Sequence, residues 1–248
     1  MEWRVSAAAL LLGMSLVRFD PAWAPSSGSR ATIVFVHGAI VRGWEMRLLR
    51  RRMQRLGYNV RQFRYRSMML SLDENVRRLR KFVRETEGDI VHVVGHSMGG
   101  VLIRQVFEQY PDPRPGRLIA IGSPLLDCWV GRRFYRMHRR IGRLLIGRTV
   151  TDHISRLNDP VWRGARDFGV LAGTYRFGVG ALFKSLPRPS DGVVLLNETR
   201  LQGIRGHTTI RLNHFGMLFS KRCFAQIARF LATGTFGEIG TDDETVAA

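Results

Sequence analysis

Gly95-His96-Ser97-Met98-Gly99-Gly100 joins an apolar, β-branched run, Ile90 to Val94, to an apolar run of helical character, Val101 to Tyr110. Strand, G-x-S-x-G and helix together form the setting of a nucleophile elbow. The chemistry this setting permits is attack by a serine hydroxyl. A turn this sharp holds its serine in an uncommon backbone conformation. The residues two before and two after must be small or their side chains collide, and Gly95 and Gly99 meet that demand. The turn lifts Ser97 clear of the sheet. It also points the Met98 N–H, at a helix N-terminus, toward any oxyanion that forms beside the serine.

A serine hydroxyl is a weak nucleophile at neutral pH and needs a base, which in turn needs an orienting acid. The chain has seven histidines. His37 and His96 sit in glycine turns too close along the chain to the serine, and His92 lies inside a strand. His138 stands among arginines, and no clear strand precedes His153. His207 precedes the last expected strand and so falls at the wrong edge of a parallel sheet. His214 follows that strand, on the same edge as Ser97, and is the candidate base. The acid follows the preceding strand in Ser…Asp/Glu…His order. Asp191, in Pro189-Ser190-Asp191-Gly192-Val193-Val194, has that place, whereas Asp152, Asp159 and Asp167 come before the strand. Asp-Gly is also a β-turn dipeptide, and one residue can serve both purposes. A second oxyanion donor is available in His37-Gly38-Ala39-Ile40, most directly from Ala39, because Gly38 lets the backbone approach closely.

These residues need strands that end at one edge. Apolar runs predict strands at Ala31–Val36, Asn59–Tyr65, from Ile90, at Arg117–Ile121, Phe168–Thr174 and Thr208–Asn213. Helical periodicity predicts helices over Trp44–Leu56, after a Ser71-Leu72-Asp73-Glu74 capping box, over Val101–Tyr110 and over Met217–Leu231. In the second of these Leu72, Val76, Leu79 and Val83 share one face. Alternating strands and helices predict a mostly parallel central sheet with helices on both faces, its chemistry at the carboxyl ends of the strands. The 248 residues, 45% hydrophobic, fit one main domain over residues 31–233. Before it lie an apolar segment and linker, residues 1–30; after it an acidic tail, residues 234–248. Val5 to Val17 is 13 residues long, short of the ~20 needed to span a bilayer but suited to a signal-peptide core. A cytoplasmic or inner-membrane peripheral location is favoured, with export through this segment as the alternative. Cys128 and Cys223 have neither metal-ligand spacing nor a disulfide framework.

Val36-His37-Gly38, Gly95 to Gly100, Ser190 to Val194 and Asn213-His214-Phe215-Gly216-Met217-Leu218 together resemble bacterial lipases and esterases of the α/β-hydrolase superfamily, including inositol-deacylase-like members. The resemblance spans about Ala31 to Leu231. It implies hydrolysis of carboxylic esters through an acyl-enzyme on Ser97, with Asp191 and His214 completing the triad, Ala39 and Met98 forming the oxyanion hole, and no cofactor. Expected substrates are small-molecule or lipid esters. An acyltransferase on the same fold is the alternative enzyme. The chain departs from the family after Gly122-Ser123-Pro124, where Leu125 to Trp129 is bulky rather than small.

A short helical lid insertion is expected over about residues 125–165. Within it Val130, Phe134, Met137, Ile141 and Leu144 recur at steps of four and three, one apolar stripe of a single helix. Arg132, Arg133, Arg136, Arg139, Arg140 and Arg143 occupy the opposite side. Either the stripe packs over the site with the arginines in solvent, or the arginines hold the protein on an anionic membrane surface. The whole chain carries a formal charge of +19, from 39 basic and 20 acidic residues, and only three of the basic residues are lysines. Such a charge favours anionic partners, and it leaves a non-catalytic binder of anionic surfaces as the alternative outside enzymology. No nucleic-acid-binding motif accompanies the charge, so no specific nucleic acid is expected.

Overall fold

The computed structural model describes residues 22, 24–26, 28–138, 141–156, 158–178 and 186–238. The apolar segment Val5 to Val17, Arg139, Arg140 and the tail from residue 239 lie outside the described residues.

Six strands, β1 (Ala31–Val36), β2 (Asn59–Phe63), β3 (Ile90–His96), β4 (Leu118–Ile121), β5 (Phe168–Gly173) and β6 (Gly206–Ile210), form one sheet in the order β2-β1-β3-β4-β5-β6. Every pairing is parallel. β1, β4 and β5 are buried along their whole length, as their unbroken apolar runs require when both faces are covered. The edge strand β2 instead alternates. The register sets Val36 opposite Gly95, and Gly95 opposite Ala120. The strands therefore finish level, and the loops beyond them share one edge. The strand order reverses between β1 and β3, the place where such sheets carry their ligands.

Helices α1 (Arg47–Arg55) and α8 (Lys221–Thr233) cover one face. Helices α2 (Leu72–Arg84) and α3 (Met98–Gln109) cover the other. The capping box forms as expected: Glu74 N–H donates to Ser71 Oγ at 3.1 Å, and Ser71 N–H donates to Glu74 Oε2 at 2.7 Å. Leu72, Val76, Leu79 and Val83 are buried together.

Three expectations need correction. The last strand is Gly206–Ile210 rather than Thr208–Asn213, so His207 lies within it, 2.9 Å from Thr199 Oγ1. The closing helix is two, α7 (Gly216–Phe219) and α8. Ser220 at φ −66°, ψ 133° interrupts it and caps the N–H groups of Arg222 and Cys223, because a serine at a helix start competes successfully with helix continuation. The single amphipathic helix over Val130–Leu144 is also broken. It becomes α4 (Trp129–Met137) and α5 (Gly142–Ile146), parted at His138 with φ −121°, ψ 47°. The stripe fails with it: Val130 is buried, but Met137, Ile141 and Leu144 are exposed, Leu144 by 76%.

With α6 (Arg148–Ile154), these helices form an insertion between β4 and β5. Its ends are held from below by Arg104, a buried side chain of α3. The guanidinium donates to Leu125 O at 2.8 Å, where the insertion begins, and to the carbonyls of Asp159 and Val161, where it ends. No helix among the described residues is long and apolar enough to cross a membrane.

Candidate active site

Ser97 stands between β3 and α3 at φ 54°, ψ −125°, a region L-residues seldom occupy. The elbow glycines are required by contact. A Cβ on Gly95 would lie 2.5 Å from the Gly99 carbonyl carbon, and one on Gly99 would lie 2.2 Å from Val36 O. The helix thus passes directly against the end of β1. The Ser97 N–H donates to Ile121 O at 2.9 Å, which ties the elbow to the end of β4. Met98 opens α3, where the first-turn N–H groups have no partner within the helix.

Asp191 and His214 meet at 2.7 Å, carboxylate Oδ2 to imidazole Nδ1, with exposures of only 1% and 4%. The Asp191-Gly192 turn is present as well. Oδ1 accepts the N–H groups of Val193 and Val194 at 2.9 and 2.7 Å, and Asp191 N–H donates to Val194 O. One carboxylate oxygen therefore closes its own turn while the other faces the histidine. His214 N–H also donates to Asp191 O at 2.9 Å. The three other aspartates weighed on sequence are engaged elsewhere: Asp152 with Leu72 N–H, Asp159 with Arg163, Asp167 with Arg117.

His96 links the elbow to this pair. Its ring lies 4.6 Å from that of His214, and its Nε2 is 3.2 Å from His214 O. Burial holds His96 well below the ordinary histidine value, so it stays neutral and donates that bond. On the other side Ile121 holds Ser97, and its neighbour Gly122 touches the pair. A Cβ on Gly122 would lie 3.0 Å from Asp191 Oδ2 and 3.2 Å from His214 Nδ1. A Cβ on Gly173 would lie 2.7 Å from that of Asp191. Sequence reasoning noted Gly122-Ser123-Pro124 but not this role. The signal was there, a glycine directly after a core strand, without the contact that gives it meaning.

The loop after β1 brings Gly38 to the serine: a Cβ there would lie 3.2 Å from Ser97 Cβ and 3.3 Å from His96 Nδ1. Ala39 follows, then Ile40 at φ 69°, a strained conformation for a β-branched residue. Ser67, between β2 and α2, holds it there by accepting the Ile40 N–H at 3.0 Å. His37 is a brace rather than a base. Its Nε2 accepts the Tyr65 N–H at 3.1 Å and its Nδ1 lies 2.7 Å from Gly38 O. Burial lowers its pKa. Burial likewise lowers His92 to about 3 and His153 to about 4. His92 Nδ1 accepts the Arg117 N–H, and His153 Nε2 lies 2.7 Å from Pro124 O.

Glu198 was not singled out on sequence. Its buried carboxylate accepts the N–H of Trp129, at the start of α4, and the N–H of Leu195 at 2.8 Å, beyond the Asp191 turn. Burial raises its pKa to about 8. It joins the insertion to the loop that carries Asp191. Among the described residues no group of histidines, cysteines and carboxylates is arranged to hold a metal ion.

Residues 33–234 match the alpha/beta hydrolase family. No curated relative matches the sequence. Among solved structures, the fold is similar to the mature form of a lipase from Bacillus licheniformis, with TM-score 0.61 and 17% identity over 85% of this chain and 94% of that one. A carboxyl esterase of metagenomic origin gives TM-score 0.61 and 15% identity over 84% and 75%. The phospholipase PlaB from Legionella pneumophila gives 0.60 and 16% over 82% of this chain and 59% of its own. Identities this low speak for the shared fold. Together with a sequence match that runs from β1 through α8, they establish that the chain belongs to the alpha/beta hydrolase family.

Proposed function

We propose that the protein is a serine hydrolase of carboxylic esters acting through an acyl-enzyme on Ser97. The observation that carries this reading is the 2.7 Å Asp191–His214 hydrogen bond at the strand edge where Ser97 sits strained on its elbow. Asp191 fixes the tautomer that leaves Nε2 of His214 free to accept. His214 takes the Ser97 proton as Oγ attacks the ester carbonyl, then returns it to the leaving alkoxide. The N–H groups of Met98 and Ala39 stabilise the intervening oxyanion. Water then attacks the acyl carbon, His214 accepts its proton and passes it to Ser97 Oγ as the acyl C–O bond breaks, and the carboxylic acid departs.

The lipase, carboxyl esterase and phospholipase neighbours support ester substrates, small or lipid. A lipid surface is the natural partner of the insertion. Arg133, Arg136 and Arg143 are exposed beside exposed Met137, Ile141 and Leu144. Cations next to apolar side chains suit an anionic interface.

A fluorophosphonate probe tests the reaction. Stoichiometric labelling of Ser97, abolished in Ser97→Ala together with ester turnover, is the expected result. An unlabelled wild-type protein, or a Ser97→Ala variant with undiminished turnover, overturns the proposal.

A further inference from the structure

A cavity of about 650 Å³ lies between the loop that follows β1 and the segment that joins β2 to α2. Arg42, Arg64, Arg66 and Arg78 line it, together with apolar Ile40 and Met68. No aspartate or glutamate is among the described residues of its wall. Only some arginines of the fold have carboxylate partners among the described residues, such as Arg117 with Asp167, Arg132 with Asp127, Arg148 with Glu74 and Arg156 with Asp73. Among the described residues, the four around the cavity have none. The four guanidinium groups are exposed to solvent around one open concavity, where like charges repel and an entering anion relieves that repulsion.

The cavity adjoins the serine. Ile40 lines it and stands two residues beyond Gly38, whose Cβ position is 3.2 Å from Ser97 Cβ. Two residues span at most ~7 Å, so the wall at Ile40 is a short stretch of backbone away from the contact with Ser97. His37, which also lines the wall, has both ring nitrogens engaged and adds no charge of its own.

We propose that this cavity holds the phosphoryl group of the ester substrate, so that the preferred substrates are acyl esters carrying a phosphate a few atoms from the scissile carbonyl. The inference rests on the reading of Ser97 as nucleophile and adds the substrate class to it. Four guanidinium forks exceed what the two oxygens of a carboxylate can satisfy. A phosphoryl group offers more acceptors and up to two charges, a geometry that arginine matches in bidentate fashion. Ile40 and Met68 give the connecting carbon chain an apolar wall. The same chemistry is presented by a soluble phosphoester and by a phospholipid head group.

The test compares kcat/KM for 1-butanoylglycerol 3-phosphate and for uncharged 1-butanoylglycerol. The phosphorylated ester is favoured about 10-fold or more at low salt, the effect of one or more charge-assisted hydrogen bonds. The preference shrinks as salt rises. Each of Arg64→Gln, Arg66→Gln and Arg78→Gln lowers the ratio, and the triple variant, which keeps only Arg42 of the four, removes most of the preference; the single variants make the result independent of whether the triple variant folds. A wild-type ratio near one, or a ratio that survives the triple substitution, overturns the proposal. Faster hydrolysis of phosphatidylglycerol vesicles than of the soluble ester supports it with a lipid head group as the source, and the reverse order supports it with a soluble phosphoester. Calorimetry on Ser97→Ala with the intact phosphoester separates the two readings. Binding that is lost on adding the three arginine substitutions supports the cavity. If Ser97→Ala still turns over the uncharged ester, the serine reading fails while the calorimetry still reports on the cavity.

Discussion

Ile40 is held at φ 69° by the hydrogen bond its N–H donates to Ser67 Oγ at 3.0 Å. The backbone of Ser67 is in turn engaged by the insertion, since its carbonyl accepts the Thr149 N–H at 3.1 Å at the start of α6. The loop carrying Ala39, the proposed oxyanion donor, is thus braced through one hydroxyl by the β2–α2 segment and the insertion. A positive φ at a β-branched residue costs on the order of 1–2 kcal/mol and persists only while its surroundings enforce it. Ser67→Ala should let the loop relax. The expected outcome is a loss of about 10-fold in kcat, equivalent to ~1.4 kcal/mol, on an uncharged p-nitrophenyl ester with KM little changed. Steady-state kinetics check it; an equal rise in KM with constant kcat would instead mean that Ser67 only binds substrate.

Asp191→Asn should leave the turn but favour the wrong tautomer of His214, lowering kcat by up to ~10⁴. Asp167→Asn is the comparison. Asp167 pairs with Arg117 at the amino end of the strands, so it should cost little activity. Full activity in the first variant with inactivity in the second would refute the assignment of the acid.

Gly122→Ala puts a methyl group 3.0 Å from Asp191 Oδ2, 3.2 Å from His214 Nδ1 and 2.7 Å from Met217 Cε. Its φ of 51° adds strain for any L-residue. We expect kcat to fall by roughly 10²-fold from the displaced pair, with a stability loss of about 1–3 kcal/mol from overpacking. Denaturant melts and kcat measured on the same variant check both numbers.

Glu198 gives the stability a pH dependence. Burial raises its pKa from 4.5 to about 8. Between those values the folded protein keeps a proton that the unfolded chain has lost, so this group's contribution to stability falls as pH rises through that window. Above about pH 7, where the buried histidines are neutral in the folded and unfolded chain alike, thermal melts up to about pH 9 should show Tm declining by a few degrees, at about 2–4 °C per kcal/mol. Glu198→Gln should flatten the decline while lowering Tm at acid pH, because an amide leaves one of the Trp129 and Leu195 N–H groups without its acceptor. An unchanged slope would show that the titrating group lies elsewhere.

The insertion should recruit the protein to anionic lipid. Co-sedimentation is expected with phosphatidylglycerol vesicles but not with phosphatidylcholine vesicles, and it should weaken as salt is raised past a Debye length of about 8 Å. Arg133→Glu, Arg136→Glu and Arg143→Glu together should abolish it. At about 1 kcal/mol per arginine near the surface, even one reversal should be measurable. Equal sedimentation with both vesicle types would exclude an electrostatic attachment.

Much of the fold and of the candidate site was legible along the chain, because both rest on local rules. The elbow needs glycines at two fixed offsets from Ser97, and the contacts at Gly95 and Gly99 are what those offsets are for. The buried strands announced themselves as apolar runs, and the Ser71 capping box is a property of four consecutive residues. Asp191 and His214 were placed by chain order relative to strands, which a parallel sheet converts into position at one edge. The tertiary structure alone decided what depends on neighbours distant in sequence. A stripe at helical spacing does not say whether anything covers it. Here Met137, Ile141 and Leu144 are exposed among the described residues, and their helix breaks at His138. The Ser67 brace spans 27 residues, the Glu198 tie to Trp129 spans 69, and the Arg104 clamp spans up to 57. The four arginines round the cavity, which have no carboxylate partner among the described residues, come from three separate stretches of an arginine-rich sequence. Only the folded chain shows which arginines have carboxylates within reach, because charge compensation is a matter of distance in space and not of position along the chain.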